Sequence, residues 1–153
     1  MTVMETREQQ NNSKSETRVL IVDDHSIVRK GLAQLINEEP GLVVCAEAEN
    51  AGQALEAIER GRVDLAIVDI SLEGVNGIQL TKRIKSQRPH LPVLILTMHD
   101  EALYARRAFQ AGARGYVSKN EAAETIITAI RLVLSGKDYI SEGMTQKFLK
   151  KLH

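Results

Sequence analysis

The 153-residue chain has a single cysteine, no net charge and no long apolar run, and each shortage removes a class of function. With Cys45 alone, neither a disulfide framework nor a cysteine-built metal site can form within the chain. The strand-like surroundings of that cysteine, Leu42 to Ala46, read as a buried structural thiol. Lysines plus arginines number 20, as do aspartates plus glutamates, so no global field draws nucleic acid or an anionic membrane. No apolar stretch approaches the roughly 20 residues that cross a bilayer, and Met1 to Thr17 lacks the apolar core of a signal peptide. A cytoplasmic protein without membrane contact is the expectation. Neither GxGxxG nor GxxxxGKS/T follows the first apolar run, where VDDHS sets acids against any nucleotide phosphate. His25, His90, His99 and His153 share no metal-ligand spacing and read as surface or packing residues.

What the chain does have is a repeated strand-end design. The tetrads VLIV (Val19 to Val22), LAIV (Leu65 to Val68) and VLIL (Val93 to Leu96) end on Asp23, Asp69 and Thr97. Unbroken apolar tetrads without alternation read as strands buried on both faces, as in parallel α/β sheets. Leu42 to Ala46 and Gly115 to Val117 supply two more strands, the latter leading to Ser118 and Lys119. Helices alternate with them. Val28, Leu32, Leu35 and Ile36 recur at helical spacing before Pro40-Gly41; Ala54, Leu55 and Ile58 before Gly61; Leu80 and Ile84 before Pro89 and Pro92; Tyr104, Ala108 and Ala111 before Gly112. Ile126, Ala129, Ile130 and Val133 form the clearest stripe, stopped by Gly136. Five such units predict a right-handed, doubly wound (βα)5 sandwich around a central five-stranded parallel sheet.

The domain is expected over residues 18–137. Residues 1–17 read as a disordered polar tail. Residues 138–153 read as the start of a C-terminal linker helix, with Phe148, Leu149 and Leu152 apolar and Lys147, Lys150 and Lys151 basic from Ser141 to Leu152.

In an open parallel sheet, ligands bind outside the carboxyl ends of the strands. Asp23, Asp24, Asp69 and Thr97 converge there, with Lys119 as the one cation. Clustered carboxylates repel unless a cation joins them, and an oxygen-only donor set suits Mg2+. Singly, each residue has a plainer role: Asp24 or Ser26 as a helix N-cap, Asp69 as a loop starter, Thr97 as a helix-start hydroxyl. Jointly, four strand ends delivering acids, a hydroxyl and an ammonium make a phosphoryl site. A carboxylate there can attack a phosphoryl group while metal and ammonium neutralise the transferring oxygens.

At VLIVDDHSIVRKGL, DLAIVDISLEGVNGIQL, VLILTMHD, AFQAGARGYVSKN and GKDYISEGM, the chain resembles the receiver domain of two-component response regulators, most closely those of NarL/LuxR-class transcription regulators. The likeness runs from about Arg18 to Ser141. It implies a flavodoxin-like, CheY-like fold and a phosphoacceptor role for Asp69, served by a sensor histidine kinase. It further implies that Asp24, Asp69 and the Ser71 carbonyl bind Mg2+, with Asp23 acting through water. Lys119 would pair with the phosphoryl oxygens, Thr97 would move to bond one of them, and Tyr116 would change rotamer behind it. Ser71 and His99 stand where the family tunes hydrolysis. Glu73 stands where the family usually carries proline, and Leu72 where methionine is common.

The class normally continues into a helix-turn-helix output domain, so DNA contact is expected only through a domain absent from this chain. The leading expectation is a phosphorylation-activated switch controlling transcription in a longer protein, with self-phosphorylation and autodephosphorylation as its only catalysis. Its partners would be the kinase and a second copy in a homodimer, to which the stripe of the last helix would contribute although it is first of all core. The alternatives are a stand-alone phosphorelay shuttle and a phosphorylation-independent interaction module.

Overall fold

The computed structural model describes residues 16–98, 102–121 and 123–140. Residues 1–15 of the tail expected over 1–17, residues 141–153 of the linker helix expected over 138–153, and His99 lie outside the described residues, while Thr17 and Tyr139–Ile140, placed in those segments, are strand. Strands β1 (Thr17–Val22), β2 (Leu42–Ala48), β3 (Leu65–Asp69), β4 (Val93–Thr97), β5 (Gly115–Ser118) and β6 (Tyr139–Ile140) alternate with α1 (Ser26–Asn37), α2 (Ala51–Arg60), α3 (Gly77–Gln87), α4 (Ala102–Gln110) and α5 (Ala123–Leu134). The sheet order is β2-β1-β3-β4-β5-β6, all pairs parallel. Connection direction reverses between β1 and β3, which opens a crevice beyond their carboxyl ends.

The apolar tetrads are continuous because both faces are covered, each strand alternating between two cores. Val19, Ile21, Leu65, Ile67, Leu94, Leu96 and Val117 pack with α1 and α5 on one face. Leu20, Val22, Ala66, Val68, Val93, Ile95 and Tyr116 pack with α2, α3 and α4 on the other. The α5 stripe of Ile126, Ala129, Ile130 and Val133 is buried in the first of these cores. Cys45 is half-buried, its Sγ 3.5 Å from the Val19 carbonyl, and burial pushes the thiol pKa up.

Two expectations need correction. The sheet has six strands where five were predicted. After Gly136 turns the chain at φ 93°, the Tyr139 N–H donates to the Arg114 carbonyl at 2.9 Å, and Tyr139 and Ile140 pair with Gly115 and Tyr116. Arg114 fixes this return through Asp138 Oδ1 at 2.6 Å and the Gly136 carbonyl. Two residues held by such distant partners leave no pattern in the local sequence.

The second correction is the phase of α1. Its buried residues are Arg29, Leu32, Ala33 and Ile36, while the predicted stripe member Val28 is exposed. An arginine turns inward because the fold gives its guanidinium partners. It donates to the Asp23 carbonyl at 2.7 Å and to Glu47 Oε1 at 3.1 Å.

Candidate functional site

Each site residue stands at or just beyond the carboxyl end of a strand. Asp23 follows β1 and extends its ladder, its N–H donating to the Ala48 carbonyl at 3.0 Å. Asp69 closes β3, paired with Leu96. Thr97 closes β4, paired with Ser118, and its carbonyl accepts from the Lys119 N–H at 2.7 Å. Asp23 and Thr97 are 0% exposed and Asp69 is 1% exposed. Asp24 is the more open acid, a quarter exposed at its side chain. Strand alternation puts Tyr116, registered opposite Ile95, on the same sheet face as Thr97. Its ring is buried in the core beneath α4.

Lys119 binds the acids together. Its Nζ lies 2.9 Å from Asp23 Oδ2 and 3.2 Å from Asp69 Oδ2. Neither oxygen receives a well-aligned hydrogen bond, and both, with Asp24 Oδ1, are buried without one. At these distances the ammonium is ion-paired with both carboxylates. Burial pushes the Asp69 carboxyl above its ordinary value; the Ser71 N–H and the Lys119 ammonium pull down, and Asp23 adds to the rise. For Lys119, burial alone would lower the pKa. Close contact with Asp23 and the charges of Asp69 and Asp23 outweigh it, so the net shift is upward.

The pocket fits a divalent cation. One donor atom from each of Asp23, Asp24, His25 and Asp69 lies within 4.8 Å of all the others. Three buried carboxylate oxygens without an aligned donor are what such an ion would satisfy.

The loop after β3 is built around Asp69. Asp69 Oδ1 accepts the Ser71 N–H at 3.0 Å, which fixes the carboxyl rotamer and starts the loop. The chain turns at Gly74, φ 76°, and enters α3 through an Asn76–Gln79 capping box. Gly77 packs directly on the backbone of Asp69 and Ile70. Its absent side chain allows close approach, a different service from the turn conformation at Gly74.

Sequence reasoning missed two residues at this site. Arg29, buried in α1, holds the Asp23 carbonyl and ties it to Glu47 on β2. His25 is a surface residue, as its lack of metal-ligand spacing predicts, but its contact with the acids was not legible from that spacing. Its ring stands over the pocket, Nδ1 3.2 Å from Asp23 Oδ1 and 3.1 Å from Asp24 Oδ1. The usable signal was Asp23 two residues earlier, because an aspartate readily accepts the N–H two positions on, here at 2.8 Å. The plainer reading of Asp24 or Ser26 as N-cap does not hold: His25 is the N-cap, without a side-chain cap bond.

Comparison with known proteins follows the same line. A family model described as the response regulator receiver domain matches residues 19–131. The chain is 34% identical over 129 residues to the response regulator UvrY of Escherichia coli strain K12, covering 84% of this chain and 59% of UvrY. It is 32% identical over 144 residues to the transcriptional regulatory protein DegU of Brevibacillus brevis, covering 94% of this chain and 60% of DegU. The chain thus spans about 60% of the length of these relatives. A crystal structure of a LuxR-family two-component response regulator from Aurantimonas sp. SI85-9A1 matches with a TM-score of 0.86 and 36% identity, covering 90% of this chain and 99% of that one. Among the described residues, no helix is long and apolar enough to cross a membrane.

Proposed function

The chain belongs to the response regulator receiver domain family, and from that premise we propose that Asp69 accepts a phosphoryl group from a phosphohistidine of a sensor histidine kinase. The observation that carries the proposal is the state of the Asp69 carboxylate. Oδ1 is fixed by the Ser71 N–H, while the buried Oδ2 lies 3.2 Å from the Lys119 ammonium and lacks an aligned hydrogen bond. In the transfer, Oδ2 attacks phosphorus, the phosphorus–nitrogen bond to the donor imidazole breaks, and an acyl phosphate forms on Asp69. Lys119 neutralises charge on the transferring oxygens.

Asp24, Asp69 and the Ser71 carbonyl are proposed to hold Mg2+, with Asp23 reaching it through water. Bound there, the ion supplies charge neutralisation for the phosphoryl oxygens. Thr97 would donate its hydroxyl to one of those oxygens, and Tyr116, on the same sheet face, would change rotamer behind it. Autodephosphorylation completes the cycle, and no external substrate is turned over.

The output proposed for the longer protein is DNA-binding transcription control in the cytoplasm. The similarity to the transcriptional regulatory protein DegU supports it. A homodimer would need surface other than the α5 stripe, which the core consumes; Ile27 on α1, 86% exposed, is available. Intact mass after incubation with acetyl phosphate and magnesium tests the chemistry. The parent gains one phosphoryl group and Asp69→Asn gains none; no gain in a folded parent favours a phosphorylation-independent interaction module.

A further inference from the structure

Strand β6 is the shortest strand of the sheet, and it lies beside the segment that delivers Lys119. It has two residues, Tyr139 and Ile140, paired with β5 alone at the sheet edge. Both are half-buried, where every residue of β3, β4 and β5 is buried. So short a pairing opens at small cost, because local opening energies run from near zero at weakly held segments to the global value in core strands. Arg114 is what holds it. The Arg114 carbonyl accepts from the Tyr139 N–H at 2.9 Å, and its guanidinium donates to Asp138 Oδ1 at 2.6 Å and to the Gly136 carbonyl.

Further ties run from β6 toward the pocket. Ile140 is registered opposite Tyr116 and packs against the same core, while Tyr139 packs against the other core, which holds Leu96 and Val117. The Tyr139 hydroxyl donates to Glu121 Oε2 at 3.4 Å. Burial first, then the Glu121 charge and its hydrogen bond, push the phenol above its ordinary pKa, so the hydroxyl keeps its proton and can donate at neutral pH. Glu121 belongs to the turn that carries Lys119. Its N–H donates to the Ser118 carbonyl at 3.1 Å, and the Lys119 N–H donates to the Thr97 carbonyl at 2.7 Å. The Lys119 side chain reaches from that turn to Asp23 Oδ2 at 2.9 Å and Asp69 Oδ2 at 3.2 Å.

Asp69 Oδ1 is occupied by the Ser71 N–H, so Oδ2 is the oxygen to which an incoming group would bond. Such a group takes the negative charge off Oδ2 and carries it on its own outer oxygens, and Nζ must leave its present contact to meet them. A turn closed by one hydrogen bond moves Glu121 with Lys119 and lengthens the tie to Tyr139. We infer that β6 is a latch on the Lys119 turn, closed while Asp69 is unmodified and loosened when a group is bonded to Asp69 Oδ2. The inference rests on the reading of Asp69 as phosphoacceptor and adds the element through which that event reaches the chain beyond residue 140. Coupling free energies are reciprocal, so whatever draws β6 off β5 tightens binding at Asp69 by the same factor.

Amide hydrogen exchange of the full chain, read by NMR at the Tyr139 N–H, tests the latch, with beryllofluoride and Mg2+ as the acyl-phosphate mimic. The fluorine resonance of the bound mimic, absent in Asp69→Asn, reports that the site is filled. Filling should speed exchange at Tyr139 by about fivefold or more, with the amides of β1 and β3 unchanged. Tyr139→Phe keeps the ring and removes the donor; without the mimic its residue 139 should exchange about two- to tenfold faster than in the parent. It should also respond less to beryllofluoride and bind it more tightly, and Arg114→Gln should do the same from the other side of the strand. Exchange at Tyr139 that stays unchanged or slows while the fluorine signal shows a filled site overturns the latch and leaves the phosphoacceptor reading standing. So do two variants that both keep the parental exchange and response. If the folded parent gives no bound fluorine signal, the phosphoacceptor reading falls and the latch falls with it.

Discussion

Replacing Gly77 by alanine should lower stability even though alanine is the better helix former. A Cβ at Gly77 would stand 2.4 Å from the Asp69 carbonyl oxygen, 2.7 Å from Ile70 Cα and 2.9 Å from the Asp69 carbonyl carbon. Ordinary contact begins near 3.5 Å, so a gap of about 1 Å must open. Every obstructing atom is backbone, and relief means moving the loop that carries Asp69 itself. Overpacking of this kind costs roughly 1–3 kcal/mol, against a helix-propensity gain of at most about 1 kcal/mol. With the full propensity gain set against it, the net expectation is a loss of up to about 2 kcal/mol. Gly31, inside α1, is the internal control: nothing lies within 4 Å of its added Cβ, and Gly31→Ala should gain about 0.5–1 kcal/mol. Urea unfolding of the three proteins measures both, provided the slope against denaturant is unchanged. The same displacement at Asp69 should slow phosphorylation by acetyl phosphate by about a hundredfold. A Gly77→Ala protein as stable as the parent and phosphorylated at the parental rate refutes the close-packing account.

Three further outcomes follow from the pocket. In metal-free buffer Asp69→Asn should be more stable than the parent, with an advantage that depends on pH. Burial raises the folded-state pKa of Asp69, so its contribution is fully present below the unfolded value and is lost as pH rises through the raised one. Asparagine does not titrate; the advantage should open with rising pH and close toward about pH 4, and urea midpoints that differ by a constant amount across that range contradict it. Mg2+ at a hundred times its dissociation constant should stabilise the parent by about 2.7 kcal/mol. Thermal melts should lose this gain with EDTA and with Asp24→Asn. Arg29→Met keeps bulk but strips the donor from the Asp23 carbonyl and from Glu47, which should cost about 1–3 kcal/mol in urea unfolding and weaken Mg2+ binding in the same samples. Unaltered unfolding and binding would show that the guanidinium positions nothing.

What the sequence made legible is what the sheet imposes one residue at a time. A strand covered on both faces needs an unbroken apolar tetrad, so β1, β3 and β4 could be read directly, and with them the strand-end positions of Asp23, Asp69 and Thr97. Lys119 was readable for the same reason, one residue beyond β5. What stayed hidden depends on distant partners. Arg29 breaks the apolar phase of α1 because Glu47, 18 residues away, and the Asp23 carbonyl receive its guanidinium. Strand β6 exists because Arg114 and Gly115 receive Asp138 and Tyr139 from more than 20 residues downstream. The constraint on Gly77, contact with the Asp69 backbone, likewise belongs to the folded loop.

Burial is also what allows so small a chemical change to matter. An exposed acid–lysine pair contributes about 0–1 kcal/mol and is screened by salt, so altering it would be felt nowhere else. Here Asp23, Asp69 and Lys119 are nearly sealed from water, and each charge added or removed acts at low dielectric. Three carboxylates against one ammonium leave the pocket two charges negative, which one divalent cation would balance. Converting the Asp69 carboxylate to an acyl phosphate would replace one negative charge with about two. The change in net charge is modest, but the number of acceptor oxygens rises, and the fixed donors at the strand ends are the Lys119 ammonium and the Thr97 hydroxyl. On the proposed reading a new acceptor would draw the Thr97 hydroxyl toward it, and the space Thr97 left would lie on the face where Tyr116 is packed. On that reading the signal would be carried less by charge at a distance than by the acceptor oxygens that the acyl phosphate adds.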